Sequence, residues 1–484
     1  MATRTTLERA GLAALMAAIV AGFLLYPGFP TYDSAYSMVW GREMLHLDAP
    51  SLEVHRAPTQ HPLGLALGAL LSLFGQAGAQ LFVLAMLLSV GFLVVGMYRL
   101  GSEALTVLVG VVAALLVLSR FDFSYFAYRG FIDVPYVAIL VWAAVLEQRR
   151  PRRGGAVLAL LACAGLLRPE AWLLIGLYWL WMAFGDRVTG GPRPATRDLV
   201  RWAGLAAIAP VLWVAIDLIA TGDALFSFRG SSETVEELGR SRSLSELPDA
   251  AYGFLLELLK APVLLAAAIG IALSVVLCPR RIVIPGVLLV VGLGTYVAIG
   301  ASGLAVIDRY LLTATAALCL FAGFALAGFT ILELGTARRV WTAIAVLALI
   351  GATAFTATRT LQLEGFRSEL ALRTDAYDSL RAALDAEPVQ EAIESGCGPV
   401  STPNHKLVPA VRWTLNRSEQ EVVARSDPAH GARVERGVGI YPIGRRIMER
   451  EGFYPAADPR TEIPPDGSRQ LALTRYYVIY ARCG

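Results

Sequence analysis

Long apolar runs alternate with short arginine-rich segments over the first three quarters of the chain, and polar residues become frequent after about residue 358. Several runs are as long as the roughly 17 to 25 residues that an α-helix needs to cross a bilayer. The pattern predicts a polytopic α-helical membrane protein with about eleven transmembrane helices. The candidate spans are 10–28, 79–97, 102–118, 132–146, 155–167, 170–184, 203–221, 261–278, 283–300, 309–331 and 340–358.

The arginines between the runs give each span a direction, because Lys and Arg gather in the cytoplasmic loops of membrane proteins. Arg4 and Arg9 place the N-terminus in the cytoplasm, and the cluster EQRRPRRGG (147–155) falls on the same side after the fourth span. Clusters after the sixth, eighth and tenth spans follow the same rule. The alternation predicts a multi-pass protein of the plasma (inner) membrane whose C-terminal tail lies outside the cytosol.

One apolar segment, HPLGLALGALLSLFG (61–75), is too short to cross a hydrocarbon core about 30 Å thick. If it did cross, every later arginine cluster would face outward, so we interpret it as a re-entrant or interfacial helix of the first outer loop. The hairpin 155–184 is also built from two short halves, with charged residues at its tip. Charges at that depth require a protein-lined or water-filled cavity.

Composition supports this organisation. The chain is 56% hydrophobic and only 17% charged, with a mean hydropathy of +0.56, whereas soluble domains are about 25% charged. The net charge of +3 is small, and nothing in it indicates a nucleic-acid partner. We divide the chain into a membrane catalytic domain, 1–358, and a small extracytoplasmic α/β domain, 359–484. An oxidising location favours a disulfide between Cys397 and Cys483 of the second domain.

The unusual ionisable residues all fall on the outer side in this topology, while the spans carry almost no charge. A transporter would place polar groups near the bilayer midplane, so the pattern favours a membrane enzyme with a cavity open on one side. A carboxylate in a tyrosine-rich loop suits general-base activation of a hydroxyl, and arginine forks match phosphate oxygens. The candidates are Asp33 as the catalytic residue, Arg129, Arg168 and Arg309 for a donor phosphate, and Tyr32, His61, Asp133 and Glu170 for substrate.

Each candidate also has a structural interpretation. Asp33 suits the N-cap of a helix beginning near Ala35, and His61 suits the cap of the short helix that follows it. Tyr32 suits the membrane interface, where aromatic residues gather. Arg309 suits a snorkelling position that reaches the lipid headgroups.

The paired charges are open in the same way. Arg129 and Asp133 have the i,i+4 spacing of an ion pair at a helix start. Arg168 and Glu170 suit a buried structural pair, because lone charges are costly to bury.

Two further features of the outer loops stay undecided by the sequence. Glu43 is interpreted as a helix-surface residue paired with Arg42 or Arg56. The long segment 221–260 is polar and then amphipathic, which suits either a flap over the donor or an ordinary surface loop.

Five short motifs occur in a fixed order on the outer side. They are the Asp after the first helix, the His61–Pro62 start of the short segment, YRGFIDVP before the fourth span, Arg-Pro-Glu at the hairpin tip, and DRYL opening a late span. Together they resemble the GT-C superfamily of integral-membrane glycosyltransferases, in particular the bacterial branch with protein mannosyltransferases and lipid A aminoarabinose transferases. The resemblance covers roughly residues 1–358.

The resemblance implies an inverting transfer of a hexose or pentose, such as a mannosyl or arabinosyl group, from a polyprenyl-phosphate donor. The acceptor would be a hydroxyl of a glycan, glycolipid or protein, with Asp33 as general base. Where many relatives carry a second acidic residue and His-Pro-Pro, this chain has Ser34 and Leu63, so a divalent cation (Mg²⁺ or Mn²⁺) stays open. The alternatives are a lipid-linked glycan polymerase or ligase, and a polyprenyl-lipid translocase without enzymatic activity. The tail is interpreted either as a lid with a stabilising role or as part of a glycan-acceptor site.

Overall fold

The computed structural model describes residues 2–26, 28–190, 192–237, 243–357, 360–452 and 463–483. Helices make up most of the chain that precedes the C-terminal sheet. They are α1 (Ala2–Leu25), α2 (Tyr32–Leu45), α3 (Pro62–Ser72), α4 (Ala77–Ala104), α5 (Val107–Leu118), α6 (Phe121–Tyr128), α7 (Asp133–Arg149), α8 (Gly155–Leu167), α9 (Ala171–Phe184), α10 (Asp186–Thr189), α11 (Thr196–Thr221), α12 (Phe226–Glu237), α13 (Leu247–Leu277), α14 (Val283–Ala301), α15 (Leu312–Ala327) and α16 (Thr336–Ala357).

Each of the eleven predicted spans coincides with helical structure, which confirms the polytopic helical architecture. Fewer helices are long and apolar enough to cross a membrane by themselves. Among the described residues there are six, or seven if the pair α5 and α6, bent by 52°, counts as one span. The count of eleven crossings therefore stays a prediction. The six are Thr6–Leu25, Ala77–Ala104, Thr196–Thr221, Leu244–Leu277, Val283–Ala301 and Asp308–Ile331.

The membrane region also contains three shorter apolar helices, α3, α8 and α9. The segment 61–75 forms α3, which has only 11 residues and so rises about 16 Å, roughly half of a hydrocarbon core. Pro62 occupies its first turn, where the missing N–H costs nothing. Helices α8 and α9 form the predicted hairpin, and its charged tip is held between them.

The centre of the membrane region is α15, which is buried along nearly its whole length. Glycines let its neighbours approach backbone to backbone: a Cβ added to Gly270 of α13 would lie 1.8 Å from the carbonyl oxygen of Phe321 in α15. Such small-residue contacts are a common way of packing helices in membranes. The 3-10 turn Asp308–Leu311, which leads into α15, is consequently fixed in position and carries Arg309 with it.

The C-terminal region forms a five-stranded sheet with helices, which confirms the predicted small α/β domain. Strand order is β2-β1-β3-β5-β4, with β1 parallel to β2 and β3, and with β5 antiparallel to β3 and β4. The structure joins Cys397 to Cys483. The elements are α17 (Thr360–Leu384), α18 (Glu387–Glu394), β1 (Val400–Thr402), α19 (Val408–Leu415), β2 (Val422–Ala424), β3 (Gly437–Pro442), α20 (Arg445–Glu451), β4 (Arg469–Leu473) and β5 (Tyr477–Arg482).

Helix α2 of the first outer loop belongs to the cores of both regions. Met38 and Val39 pack into the membrane core, whereas Tyr36 and Trp40, both fully buried, pack into the core of the sheet domain. A helix with buried residues all round is expected between two packing partners. The predicted boundary at 358–359 lies outside the described residues, so the division into two domains stays a prediction.

Candidate active site

A cavity of about 920 Å³ lies between one end of the membrane helices and the sheet domain. The structure brings nearly all of the predicted site residues to it, although they come from widely separated parts of the chain. Asp133 is 2% exposed and lies behind the cavity surface, against a small adjoining pocket. We call the charged residues on the membrane side of the cavity the membrane wall: Asp33, Arg129, Arg168, Glu170 and Arg309.

Asp33 lies in the first turn of α2, which begins earlier than the sequence suggested. The N-cap of this helix is Thr31, so the interpretation of Asp33 as the cap of a helix starting near Ala35 is wrong. Its Oδ2 instead accepts hydrogen bonds from Nη1 and Nη2 of Arg309, both at 3.2 Å. The carboxylate keeps about a quarter of its surface exposed, 26%, and can therefore meet a ligand in the cavity.

Asp133 connects the arginines behind the cavity surface. Its Oδ1 accepts a hydrogen bond from Nη2 of Arg168, and its Oδ2 lies 3.6 Å from Nη1 of Arg309. Glu170 lies 3.4 Å from Nη1 of Arg168, as the structural interpretation of that pair required. The three carboxylates and the two arginines that they contact form one network, in which every carboxylate has an arginine partner. Such pairing is what the burial of charge demands.

Aromatic rings hold the arginine side chains in place. The guanidinium carbons of Arg309 and Arg129 lie 4.6 Å and 5.1 Å from the ring centre of Phe131, and that of Arg168 lies 4.9 Å from the ring centre of Tyr310. Cation–π contacts of this kind stabilise a cation by about 0.5 to 2 kcal/mol. The contact of Phe131 with the arginines was not predicted from the sequence, because aromatic residues are common near a membrane surface for other reasons.

His61 is the N-cap residue of α3, but its side chain makes no capping hydrogen bond. The ring packs edge-on against Trp213, with ring centres 5.7 Å apart, and hydrogen-bonds to the backbone of Leu167. Burial and the positive charge of Arg168 lower the pKa of His61 to about 3. The imidazole is therefore neutral at physiological pH, and it offers a substrate hydrogen bonds without a charge.

Tyr32 lies where α2 meets the sheet domain. Its hydroxyl donates to the carbonyl of Arg56, and burial raises the pKa of Tyr32 well above its ordinary value. The ring of His405 packs edge-on against it, with centres 5.4 Å apart. Both Tyr32 and His405 line the cavity, so Tyr32 contacts protein at the site rather than lipid headgroups.

Glu43 does not line the cavity. Its carboxylate accepts a hydrogen bond of 2.5 Å from Arg412, whose side chain is 1% exposed, and another from the backbone of Ser51. The predicted pairing with Arg42 or Arg56 is therefore replaced by an ion pair with the sheet domain. Arg42 also reaches that domain and donates to the carbonyls of Trp413 and Arg412.

The segment 221–260 contributes α12, which packs over one side of the cavity. Asp217 of α11, 1% exposed, accepts hydrogen bonds from the backbone and hydroxyl of Ser227 at 3.0 and 2.7 Å. This anchors the start of α12, and Phe228 and Ser231 line the cavity beyond it. Residues 238–242 of the segment lie outside the described residues.

The sheet domain supplies the remaining side of the cavity, which the sequence did not identify. No acidic residue among the described residues of that domain lines it. The signal was available only in part: the segment GPVSTPNHKLVPAVRWTL (398–415) predicts a strand, but its place next to Asp33 depends on tertiary structure. We call these polar residues the sheet wall: Arg373, Tyr377, Asn404, His405, Lys406 and Ser426.

A divalent cation does not fit the donor groups at the cavity. Mg²⁺ and Mn²⁺ require several oxygen ligands, and Asp33, Asp133 and Glu170 are each engaged by an arginine. Within the described part of the chain, no group of three or more His, Cys, Asp or Glu side chains is placed to hold a metal ion. No catalytic step below is routed through a metal.

No protein-family model and no curated protein matches the sequence, whereas solved structures match its fold. The structure of ArnT from Cupriavidus metallidurans bound to undecaprenyl phosphate matches with a TM-score of 0.58 and 12% identity, over 98% of each chain. The apo structure of the same protein matches with a TM-score of 0.55 and 13% identity, over 99% of this chain and 98% of that one. This multi-pass membrane protein therefore has the GT-C fold, which the order of its sequence motifs predicted.

Proposed function

We propose that the protein is an inverting glycosyltransferase that moves a sugar from a polyprenyl-phosphate donor to a hydroxyl of an extracytoplasmic acceptor. The observation that carries the proposal is the contact between Asp33 and Arg309 in a cavity of about 920 Å³. This contact supports the proposal because Asp33 is the candidate base and Arg309 is a candidate residue for binding the donor phosphate. The GT-C fold supports the reaction class, and the ArnT structure with bound undecaprenyl phosphate supports the class of donor.

The donor phosphate lies against Arg129, Arg168 and Arg309 in this proposal. One guanidinium group can donate two parallel hydrogen bonds to a phosphate. These three groups are held in position by aromatic rings and carboxylates before any ligand binds. Preorganised donors stabilise negative charge as it develops in a transition state, because they need no reorganisation at that moment. The charge that develops here is that of the leaving polyprenyl phosphate.

Asp33 removes the proton. The acceptor oxygen attacks the anomeric carbon and forms the new glycosidic bond, while the bond between that carbon and the phosphate oxygen breaks with its electron pair. The hydroxyl proton passes to Asp33, and the released phosphate keeps the electrons. Oδ1 of Asp33 has no partner among the described residues, because Arg309 contacts only Oδ2. We assign the proton to Oδ1.

Substrate positioning falls to Tyr32, His61, Asp133 and Glu170. Neutral His61 and the partly exposed Glu170 face the cavity and suit hydrogen bonds to sugar hydroxyls. Asp133 acts indirectly, because it holds Arg168 and Arg309 at their places. The positive-inside distribution of arginines supports a cavity on the outer face of the inner membrane, with the sheet domain outside the cytosol.

The test is transfer of label from a radiolabelled polyprenyl-phosphate sugar pool into membrane acceptors by wild type, Asp33→Asn and Asp223→Asn. Asp223 pairs with Arg229 and is not among the residues that line the cavity, so it serves as the matched control. General-base catalysis contributes about 10² to 10⁴-fold, so Asp33→Asn should lose activity by that factor while Asp223→Asn keeps it. Equal activity of all three proteins would remove Asp33 from catalysis. A lipid-linked glycan polymerase or ligase would also keep its activity without Asp33, and a translocase would transfer no label at all.

A further inference from the structure

We propose that the sheet wall is a subsite for an anionic group, a phosphate or carboxylate, of the acceptor. The inference rests on the proposed function, since it names the chemical class of the acceptor for that reaction.

The parallel half of the sheet contains a topological switch point. Strand β1 lies between β2 and β3 and is parallel to both. The chain therefore leaves β1 in one direction to reach β2 and must pass back across it to reach β3. In open α/β sheets, ligands bind in the crevice outside the carboxyl ends of the strands at such a point.

The residues that follow these strands are the ones that line the cavity. Asn404, His405 and Lys406 come directly after β1, and Ser426 comes directly after β2. Tyr477, which begins β5 opposite the end of β3, lies at the same edge. The carboxyl edge of the parallel strands thus faces the same space as Asp33.

The charge of this edge differs from that of the membrane wall. Lys406 and Arg373 bring positive charge; Arg373 pairs with Glu369 at 3.0 Å, and neither Glu369 nor any other described acidic residue of the sheet domain lines the cavity. Arg425 adds a further positive charge just inside the edge: it is 2% exposed and donates to the carbonyls of Ser401 and Ile440. A one-signed lining in a cleft focuses its field and attracts ligands of opposite charge.

The local backbone is built around the lysine. Oδ1 of Asn404 accepts from the backbone N–H of Lys406 at 3.1 Å, and its Nδ2 donates to the carbonyl of Gly452 at 2.9 Å. Gly452 has a φ of +64°, and a Cβ there would lie 2.5 Å from Nζ of Lys406. A side chain at this position would displace the ammonium group and would also strain the backbone at this positive φ.

Ser426 supplies a second observation that points to a ligand. Its hydroxyl is buried and has no hydrogen-bond partner among the residues that the structure describes. Buried polar groups are nearly always hydrogen-bonded, so an exception at a cavity wall calls for a partner. An anion at this wall would provide an acceptor for the hydroxyl.

The position of the wall assigns the anion to the acceptor rather than to the donor. The donor phosphate is bound by the membrane wall in the proposed reaction, and the sheet domain closes the opposite side of the same cavity. A volume of about 920 Å³ lies within the range of roughly 300 to 1,000 Å³ typical of ligand sites. It gives room for the donor sugar and an acceptor group side by side.

The first measurement is binding of glucose 1-phosphate and of neutral methyl glucoside to the purified full-length protein by calorimetry. Wild type, Lys406→Gln, Lys406→Arg and Arg445→Gln are compared; Arg445 is an exposed arginine of the same domain, paired with Glu449. We expect glucose 1-phosphate to bind and methyl glucoside not to bind. We also expect an affinity loss of about tenfold in Lys406→Gln, consistent with the loss of one charged hydrogen bond, partial rescue in Lys406→Arg, and no change in Arg445→Gln. Equal binding by all four proteins overturns the proposal.

The second measurement locates the anion. In the transfer assay, Lys406→Gln should raise the KM for the membrane acceptor about tenfold and leave the KM for the donor and the hydrolysis of donor in the absence of acceptor unchanged. A rise in donor KM instead would assign the anion to the donor and overturn the proposal. Calorimetry does not depend on catalysis. Failure of the transfer assay in wild type would therefore count against the proposed function only, and the binding measurement would still decide whether the subsite exists.

Discussion

The two walls of the cavity handle charge in opposite ways. On the membrane wall, the arginines are faced by the carboxylates of Asp33, Asp133 and Glu170, and the network is close to neutral. The sheet wall has Lys406 and Arg373, and none of the described acidic residues of that domain lines the cavity, although Arg373 pairs with Glu369 of its own helix at 3.0 Å. The difference shows how depth changes the use of charge. Deep in a membrane protein an arginine needs a counterion to be tolerated, whereas the carboxylate that compensates Arg373 lies behind the sheet wall rather than at the cavity.

The strongest test of the contrast is removal of the central counterion. Asp133→Asn leaves Arg168 and Arg309 without their shared carboxylate, and breaking a buried pair costs about 3 to 5 kcal/mol. We expect a large loss of apparent thermal stability in detergent. Glu103→Gln is the matched control, because Glu103 pairs with Arg149 near the surface, where a pair contributes about 0 to 1 kcal/mol. Similar losses in the two variants would contradict a membrane wall that depends on internal compensation.

The next test separates the walls from each other. Arg412→Met removes the ion pair between Glu43 and the sheet domain, and a hydrogen bond to a charged group contributes about 1.5 to 3 kcal/mol. We expect the sheet domain to become more sensitive to limited proteolysis while the membrane region remains resistant. The double variant Glu43→Gln, Arg412→Met should lose less than the sum of the single changes, because each removes the same contact. Additive losses would show that the pair does not couple the two regions.

A smaller effect is expected when a charge is kept and its geometry is changed. Arg309→Lys preserves the cation but loses the fork that contacts Asp33 with two nitrogens. We expect kcat for sugar transfer to fall about tenfold, with the protein remaining folded. Lys406→Arg on the sheet wall should change kcat by less than that, because Lys406 is assigned to the acceptor and not to the leaving phosphate. The reverse order would contradict the contrast between the walls.

The smallest effect concerns pH. The pKa of His61 is lowered from 6.5 to about 3 in the folded protein, so the unfolded chain binds a proton at this residue below pH 6.5 and the folded one does not. Stability contributed by neutral His61 is therefore present above pH 6.5 and decreases as the pH falls towards about 3. We expect His61→Gln to show a smaller decrease in melting temperature between pH 7 and pH 5 than wild type. An identical decrease would show that His61 is not held neutral.

The sequence predicted the parts of the fold that follow from local pattern. The apolar runs predicted the helices of the candidate membrane spans. The length of segment 61–75, together with the alternation of the arginine clusters, predicted the short helix α3. In the sheet domain, the segments GPVSTPNHKLVPAVRWTL (398–415) and LALTRYYVIYARC (471–483) predict strands and contain β1, the end of β4 and β5, whereas β2 and β3 were not predicted. The short Val422–Ala424 is buried on both faces, and such a strand lacks the alternation by which an amphipathic strand is recognised.

The sequence predicted the charged residues of the membrane wall. It did not predict which of them pair with each other, nor the residues of the sheet wall that face them. Asp33, Arg168 and Arg309 stood out because charge is rare in apolar sequence. The ion pair of Arg309 with Asp33 joins residues far apart in the chain, and no local pattern encodes it. Lys406 was not predicted, for the opposite reason. Charged residues are common in the polar C-terminal region, so the sequence does not single out a lysine that only the fold brings to the cavity.

Helix α2 carries one further consequence. Tyr36 and Trp40 are fully buried in the core of the sheet domain, in the same helix that presents Asp33 to the membrane wall. The two regions are therefore not modular. A chimera that exchanged the sheet domain for that of another protein would have to carry α2 with it, and α2 brings Asp33, the proposed base. Under the proposed reaction, acceptor preference and catalytic chemistry are thus linked in inheritance, and we expect them to diversify together.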